Sequence, residues 1–198
     1  MYYVFLFILV FNLINAKSNN YLNIKDLLNN KKIISKLKYE ITHLSKEQLN
    51  NLIFTYNKAY KYKLNYVLSA ISWEESKFGK IPFNFSDPSA GLYHNLIPTV
   101  LKRNNIKVNK YNINKMGTKL NNDREFAFKM AMAEINFWRY KEKMNLNDTV
   151  RSYNAGYRWK KHKKIRNNAN IYLNKIILRI IILKWFFKNY NIKINMKR

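Results

Sequence analysis

Acids are scarce in this chain of 198 residues, 11 Asp and Glu against 37 Lys and Arg, so each can be weighed for chemistry. Glu74-Glu75 is the only adjacent pair. Glu75 falls on a stripe with Leu64, Leu68, Ile71 and Phe78, spaced by steps of four and three, which is one face of a helix. Gly79 and Pro82 follow, so the carboxyl group sits in the last turn. Among apolar groups the ionised form is disfavoured, which keeps a carboxyl protonated toward neutral pH, as a general acid requires. The plainer expectation is a frayed helix end where Glu75 pairs with a lysine. A second carboxyl group could share acid and base work with Glu75. Asp87, in a Ser-Asp-Pro-Ser turn, and Glu134, on a helix, are the candidates.

Other chemistries are excluded by absence. There is no Cys, which removes disulfides, thiolate metal sites and thiol nucleophiles. Three His (His43, His94, His162) do not make a His-rich metal centre, and four Gly leave no phosphate-cradling loop. No metal and no cofactor are expected.

The elements that must position Glu75 read as helices. Ser45 and Gln48 form a capping box ahead of Leu49, Leu52, Ile53 and Tyr56. The Glu75 helix runs from about Tyr62 to Phe78. All three prolines (Pro82, Pro88, Pro98) and two of four glycines (Gly79, Gly91) fall between 79 and 98, a strong loop. A helix from about Asp123 to Lys143 places Phe126, Met130, Ala133, Phe137 and Tyr140 on one face. Asn147 or Asp148 caps a short helix ending at Gly156, and a last helix covers about Asn168 to Asn189. No alternating strands, heptads or repeats are visible. The expectation is a mainly α protein with one compact helical domain over 45–190, a linker or helix over 17–44 and a basic tail over 191–198.

Val4 to Leu13 is apolar but shorter than the ~20 residues that span a bilayer. Ala16 offers a small residue at a cleavage position, so 1–16 reads as an export signal peptide. A net charge of +26 predicts an anionic partner. Export favours a cell wall over nucleic acid, although basic and aromatic residues mix in 158–166. The last helix carries Ile176 to Phe187 interrupted by Arg179 and Lys184. Core packing is expected for it, with peripheral membrane contact as the lesser reading.

Three segments resemble a known family. Ile71-Ser72-Trp73-Glu74-Glu75-Ser76-Lys77-Phe78-Gly79 resembles the Glu-Ser motif of the SLT-type lytic transglycosylases, which have a lysozyme-like fold. Ser89-Ala90-Gly91-Leu92-Tyr93-His94 is similar to their Gly-Leu-Met-Gln motif, with His94 replacing the Gln. Arg151-Ser152-Tyr153-Asn154-Ala155-Gly156 matches their Ala-Tyr-Asn-Ala-Gly motif nearly letter for letter. The resemblance spans about residues 64–160. The family's Asn-Ile and Gly motif between these is eroded, with Ala127-Phe128 and Ala131 in that stretch.

The resemblance implies cleavage of the β-1,4 bond from N-acetylmuramic acid to N-acetylglucosamine in peptidoglycan, with a 1,6-anhydro product. It makes Glu75 the single general acid and base. Tyr153 would hydrogen-bond Glu75, and Asn154 would support the cleft. Ser86 or Ser89 would contact N-acetyl or glycan groups, and Gly91 would let the loop backbone approach the sugar. Leu92, Tyr93, His94 and Glu134 complete the expected substrate contacts. Tyr93 and Trp73 could stack on sugar faces but fit a core equally well. The expected partner is the glycan strand, with a secretion or conjugation apparatus as a further one, in a periplasmic, secreted or wall-associated location. The alternatives are a hydrolytic muramidase, a lysozyme-like protein that binds peptidoglycan without cutting it, and a basic nucleic-acid-binding protein.

Overall fold

The computed structural model describes residues 24–84 and 86–190. The proposed signal peptide and the basic tail lie outside the described residues. Helices α1 (Ile24–Asn29), α2 (Lys31–Thr42), α3 (Lys46–Tyr60) and α4 (Asn65–Ser76) come first. Three short strands follow: β1 (Phe83–Asn84), β2 (Ser89–Ala90) and β3 (Asn95–Leu96). Then come α5 (Ile97–Arg103), α6 (Lys110–Asn122), α7 (Arg124–Asn136), a π-helical turn at Phe137–Lys141, α8 (Leu146–Ala155), α9 (Arg158–Lys161) and α10 (Lys163–Asn189).

One core joins these elements. Helix α10 runs through it, burying Tyr172, Leu173, Ile176, Ile177, Leu178, Ile182, Leu183 and Phe186. Its neighbours are α4, α8, α9 and α2. The apolar run of the last helix is therefore core, and no helix among the described residues is long and apolar enough to cross a membrane. Arg179, one of the two cations that interrupt that run, is itself buried at 6% exposure. The stretch expected as a linker or helix is helical from Ile24, and Ile24, Leu37 and Ile41 belong to the same core.

Side-chain caps fix five of the helix starts. The Ser45 box forms as expected, with Ser45 Oγ accepting from Gln48 N and Gln48 Oε1 accepting from Ser45 N. Asn30, Asn109, Asp123 and Asn145 cap α2, α6, α7 and α8. Asn145, rather than Asn147 or Asp148, thus starts the helix that ends at Gly156. Helices α5 and α6 and the three strands were not expected. Two-residue strands are too short to show alternation, and Gly117 and four asparagines dilute the Ile113, Met116, Leu120 stripe of α6.

The strands form an antiparallel sheet in the order β1-β2-β3, with Phe83 opposite Ala90 and Ala90 opposite Asn95. It follows directly on α4. Helix α4 stops at Ser76, two residues before the expected end, because Lys77 and Phe78 turn left-handed at φ 53° and 56°. Non-glycine residues there cost roughly 1–2 kcal/mol each, so something must hold them. Gln48 Nε2 donates to Lys77 O at 2.8 Å and Asn51 Nδ2 to Phe78 O at 3.0 Å. Ser76 Oγ accepts from Gly79 N and donates to Leu92 O at 2.7 Å.

Gly91 closes the sheet against α6. Its φ is +81°, and a Cβ there would lie 2.4 Å from the Leu120 carbonyl oxygen. Backbone cannot yield as a side-chain tip can. Gly91→Ala is expected to cost at least ~2 kcal/mol, combining left-handed strain with overpacking. A urea unfolding midpoint unchanged from the parent protein would contradict that account.

Candidate functional site

Glu75 projects from the last turn of α4 into a cleft of about 440 Å³, lined by Glu74, Glu75, Asn154, Asn168, Ile171, Tyr172 and Lys175. Its carboxylate meets two groups. Tyr172 Oη donates to Oε1 at 2.6 Å, and His94 Nδ1 lies 3.4 Å from Oε2. The side chains of Glu75 and His94 are 17% and 7% exposed. No Lys or Arg of the described residues forms an ion pair with Glu75, so the frayed end paired to lysine is not what the helix presents.

Glu74, one residue away, is treated oppositely. Lys175 Nζ contacts its Oε1 at 2.9 Å, and Arg179 Nη2 contacts its Oε2. The Arg179 guanidinium also lies 5.2 Å from the Trp73 ring, which is itself 1% exposed. Trp73 is a core residue, and its indole N–H is directed to Glu40.

The other candidate carboxylates are occupied. Glu134 accepts from Trp138 Nε1 at 2.6 Å and pairs with Arg103. Asp87 accepts from Ser89 Oγ at 2.6 Å, and its carbonyl accepts from Ser89 N. It is the turn residue its surroundings suggest. Neither is free to serve as a second acid.

Tyr153 does not make the hydrogen bond expected of it. Its hydroxyl donates to Tyr93 O at 2.9 Å, while Tyr172 takes the place on Glu75. Burial, and the Glu75 charge after it, hold both phenols well above their ordinary pKa, so each stays a neutral donor. Tyr93 is fully buried and shares a hydrogen bond with Thr55, which makes it core and not a sugar platform. The close backbone approach at Gly91 is to Leu120 and not to an open cleft. Leu92 is buried, with its carbonyl held by Ser76. Ser89 is buried and turned to Asp87, and Ser86 is exposed in the turn. Asn154 does line the cleft.

Sequence reasoning missed Tyr172 and, with it, Asn168, Ile171 and Lys175. Tyr172 stands 97 residues from Glu75. The available signal was a hydroxyl on the buried face of α10, in register with Ile176 and Arg179, because a buried phenol needs a partner.

A second cavity, about 520 Å³, is lined by Glu47, Asn50, Asn51, Asn121, Asn122 and Arg124 among others. It is the larger, and it includes Gly79 and Leu92, but it contains neither Glu75 nor Tyr172. Size does not locate the chemistry here. The smaller cleft holds the carboxylate with no cationic Lys or Arg partner.

His94 is fixed at both ring nitrogens. Its Nε2 lies 2.8 Å from Ile81 O, a pure acceptor, so that nitrogen carries a proton. A flipped ring would place carbon against both oxygens. Among the described residues, no group of three or more His, Asp or Glu is arranged to hold a metal ion.

No family model matches the chain, and no solved structure matches it. The chain is similar to an uncharacterized 20.7 kDa protein from the vs-regB intergenic region of Enterobacteria phage T4. The two are 27% identical over 133 residues, 64% of this chain and 72% of that protein.

Burial pushes the His94 pKa down, but the hydrogen bonds to Glu75 and Ile81 and the Glu75 and Asp87 charges outweigh it, leaving the value above 6.5. A folded value raised above the unfolded one stabilises the fold fully below 6.5 and loses that contribution as pH rises through the folded value. Unfolding free energy is therefore expected to fall with pH from 6.5 upward through the raised folded value, and His94→Gln to remove that part of the slope. Denaturation midpoints of both proteins across this window, with equal slopes, would rule the linkage out.

Proposed function

We propose that the Glu75 cleft is the active site of an exported peptidoglycan lytic transglycosylase, and that α4, the three strands and the helices around them make a lysozyme-like arrangement. One observation carries the reading. Of the cleft and loop carboxylates, Glu75 alone has no cationic Lys or Arg partner and no turn to hold, and it opens on a cleft. Secondary support comes from the clamped helix end followed at once by an antiparallel three-stranded sheet. The Tyr-Asn motif also lies at the cleft, since Asn154 lines it and Tyr153 braces the Tyr93 backbone.

In this scheme Glu75 in its acid form gives its proton to the glycosidic oxygen as the C1–O bond breaks. The electron pair of that bond goes to the leaving oxygen. The muramoyl 2-acetamido carbonyl closes on C1 and spreads the positive charge, as in substrate-assisted glycosidases. Glu75, now ionised, takes the proton of the C6 hydroxyl as that oxygen attacks C1, which opens the acetamido ring and forms the 1,6-anhydro product. One carboxylate thus serves twice, which suits a site whose other acids are committed.

A hydrolytic muramidase would use water in place of the C6 hydroxyl. Mass spectrometry of fragments released from purified peptidoglycan separates the two. Anhydro-ended muropeptides that resist borohydride are expected, with Glu75→Gln reducing their release by at least ~10²-fold while the fold persists. Reducible ends one water heavier would replace this reading with hydrolysis. No release from several wall types would remove the enzymatic one.

Tyr172 and Tyr153 can be told apart by the same assay. Tyr172→Phe removes a donor to a charged group, worth roughly 1.5–3 kcal/mol, and is expected to cost about 10- to 150-fold in kcat/KM. Tyr153→Phe leaves the Glu75 hydrogen bonds in place and is expected to cost less. Reversal of that order would return the orienting role to Tyr153.

A further inference from the structure

We infer that His94 is not a substrate contact but the proton partner of Glu75: the two share one proton, which rests on His94 in the open cleft and passes to Glu75 when substrate displaces water. This rests on the reading of Glu75 as the acid. The geometry leads to it directly. Nε2 spends its proton on the Ile81 carbonyl, so a neutral ring would present a bare Nδ1 lone pair to Glu75 Oε2. Two acceptors do not face each other at 3.4 Å unless a proton lies between them. The contact therefore exists as imidazolium with carboxylate, or as imidazole with carboxylic acid.

Which form dominates follows from the surroundings. Glu75 lies in the last turn of α4, where the helix dipole favours a nearby cation. Tyr172, from α10, donates to Oε1 and supports the carboxylate. From the turn before β2, the Asp87 charge acts on the imidazole in the same sense. Tyr153, from α8, is neutral and directed to the Tyr93 carbonyl. In the hydrated cleft these favour imidazolium with carboxylate. A ligand filling the cleft removes water and penalises the charge-separated form, so the neutral pair gains. The Nδ1–H bond breaks, the Oε2–H bond forms, and the pair keeps zero net charge. After Glu75 has given its proton up and taken one back, the proton returns to His94.

The kinetic consequence is specific. His94 does not raise the population of acidic Glu75; it competes for the same proton. What it does is keep that proton in the site as pH rises. The pH–rate profile should be flat below the titration of the pair and fall above it, with an alkaline limb above 6.5. His94→Gln keeps a hydrogen-bonding side chain without a titration. The limb should then move toward acid by about one unit or more. A structural role for His94 would lower the plateau and leave the limb in place.

The proton itself is visible without activity. In the full chain, ring nitrogen and Cε1 NMR shifts should show His94 titrating above 6.5, with Nε2–H as its neutral tautomer. In Glu75→Gln, burial remains and the countercharge is gone, so the titration should drop to 6.5 or below. An unchanged His94 titration in Glu75→Gln, or an Nδ1–H neutral tautomer, would overturn the shared proton. If the NMR results hold and no wall fragments are released, the pairing stands and the transglycosylase reading fails. If fragments are released and the alkaline limb ignores His94→Gln, the reading stands and the shared proton fails.

Discussion

A helix turns about 100° per residue, so two adjacent carboxylates at the end of α4 cannot meet the same surroundings. The crossing of α4 with α10 decides what each meets. Tyr172, Lys175 and Arg179 occupy one stripe of α10, three and four residues apart, and that stripe lies along the end of α4. Its two cations take Glu74, and its phenol takes Glu75. A buried Arg–Glu pair does little for stability against a well-packed apolar alternative, but losing one partner strands a charge. The arrangement therefore fixes register between the two helices. Slipping α10 by one turn so that Lys175 took the place of Tyr172 would put a cation on Glu75 and leave Glu74 with Arg179 alone.

The same helix end depends on a second constraint. Lys77 and Phe78 adopt a backbone that L residues resist, and the resistance is met by side chains from elsewhere. Gln48 and Asn51 reach from α3 to the two carbonyls, and Ser76 ties Gly79 to Leu92. Gln48 also serves the capping box of α3, so a single amide joins the start of one helix to the end of another. Through Ser76 and Leu92 the clamp extends to the segment bearing His94, itself left-handed at φ 43°. The 3.4 Å approach of His94 to Glu75 thus depends on the backbone at residues 76–79 and 92–94, and not on the two side chains alone.

The sequence made part of this legible. The Ser45 box, the Glu75 stripe and the loop of prolines and glycines all stand out, because each turns on a residue scarce in this chain: Gln48, Glu75, and the few Pro and Gly. The asparagine caps do not. Asn is so abundant that candidate caps occur everywhere, and local pattern cannot choose Asn145 over Asn147. Gly91 was expected to let the loop backbone approach a sugar, whereas what lies against it is the Leu120 carbonyl of α6, a helix whose apolar stripe was too thin to see. The partner of Tyr172 was hidden for a deeper reason. Its role depends on a contact between residues 97 apart, which no periodicity within α10 encodes.

Charge bookkeeping at the cleft shows why a histidine fits beside Glu75 where an arginine would not. Glu74 and Glu75 contribute two negative charges, and Lys175 and Arg179 supply two positive ones, both placed on Glu74. A permanent cation at position 94 would hold Glu75 as a carboxylate at every working pH, ending any use as an acid. A neutral amide would leave the second carboxylate uncompensated among two phenols and an apolar helix face. Histidine supplies positive charge while the cleft is wet and can withdraw it as a proton when the cleft is filled. The site can then alternate between an ion pair and a neutral pair without changing its total charge. A single carboxylate that must act first as acid and then as base needs that freedom.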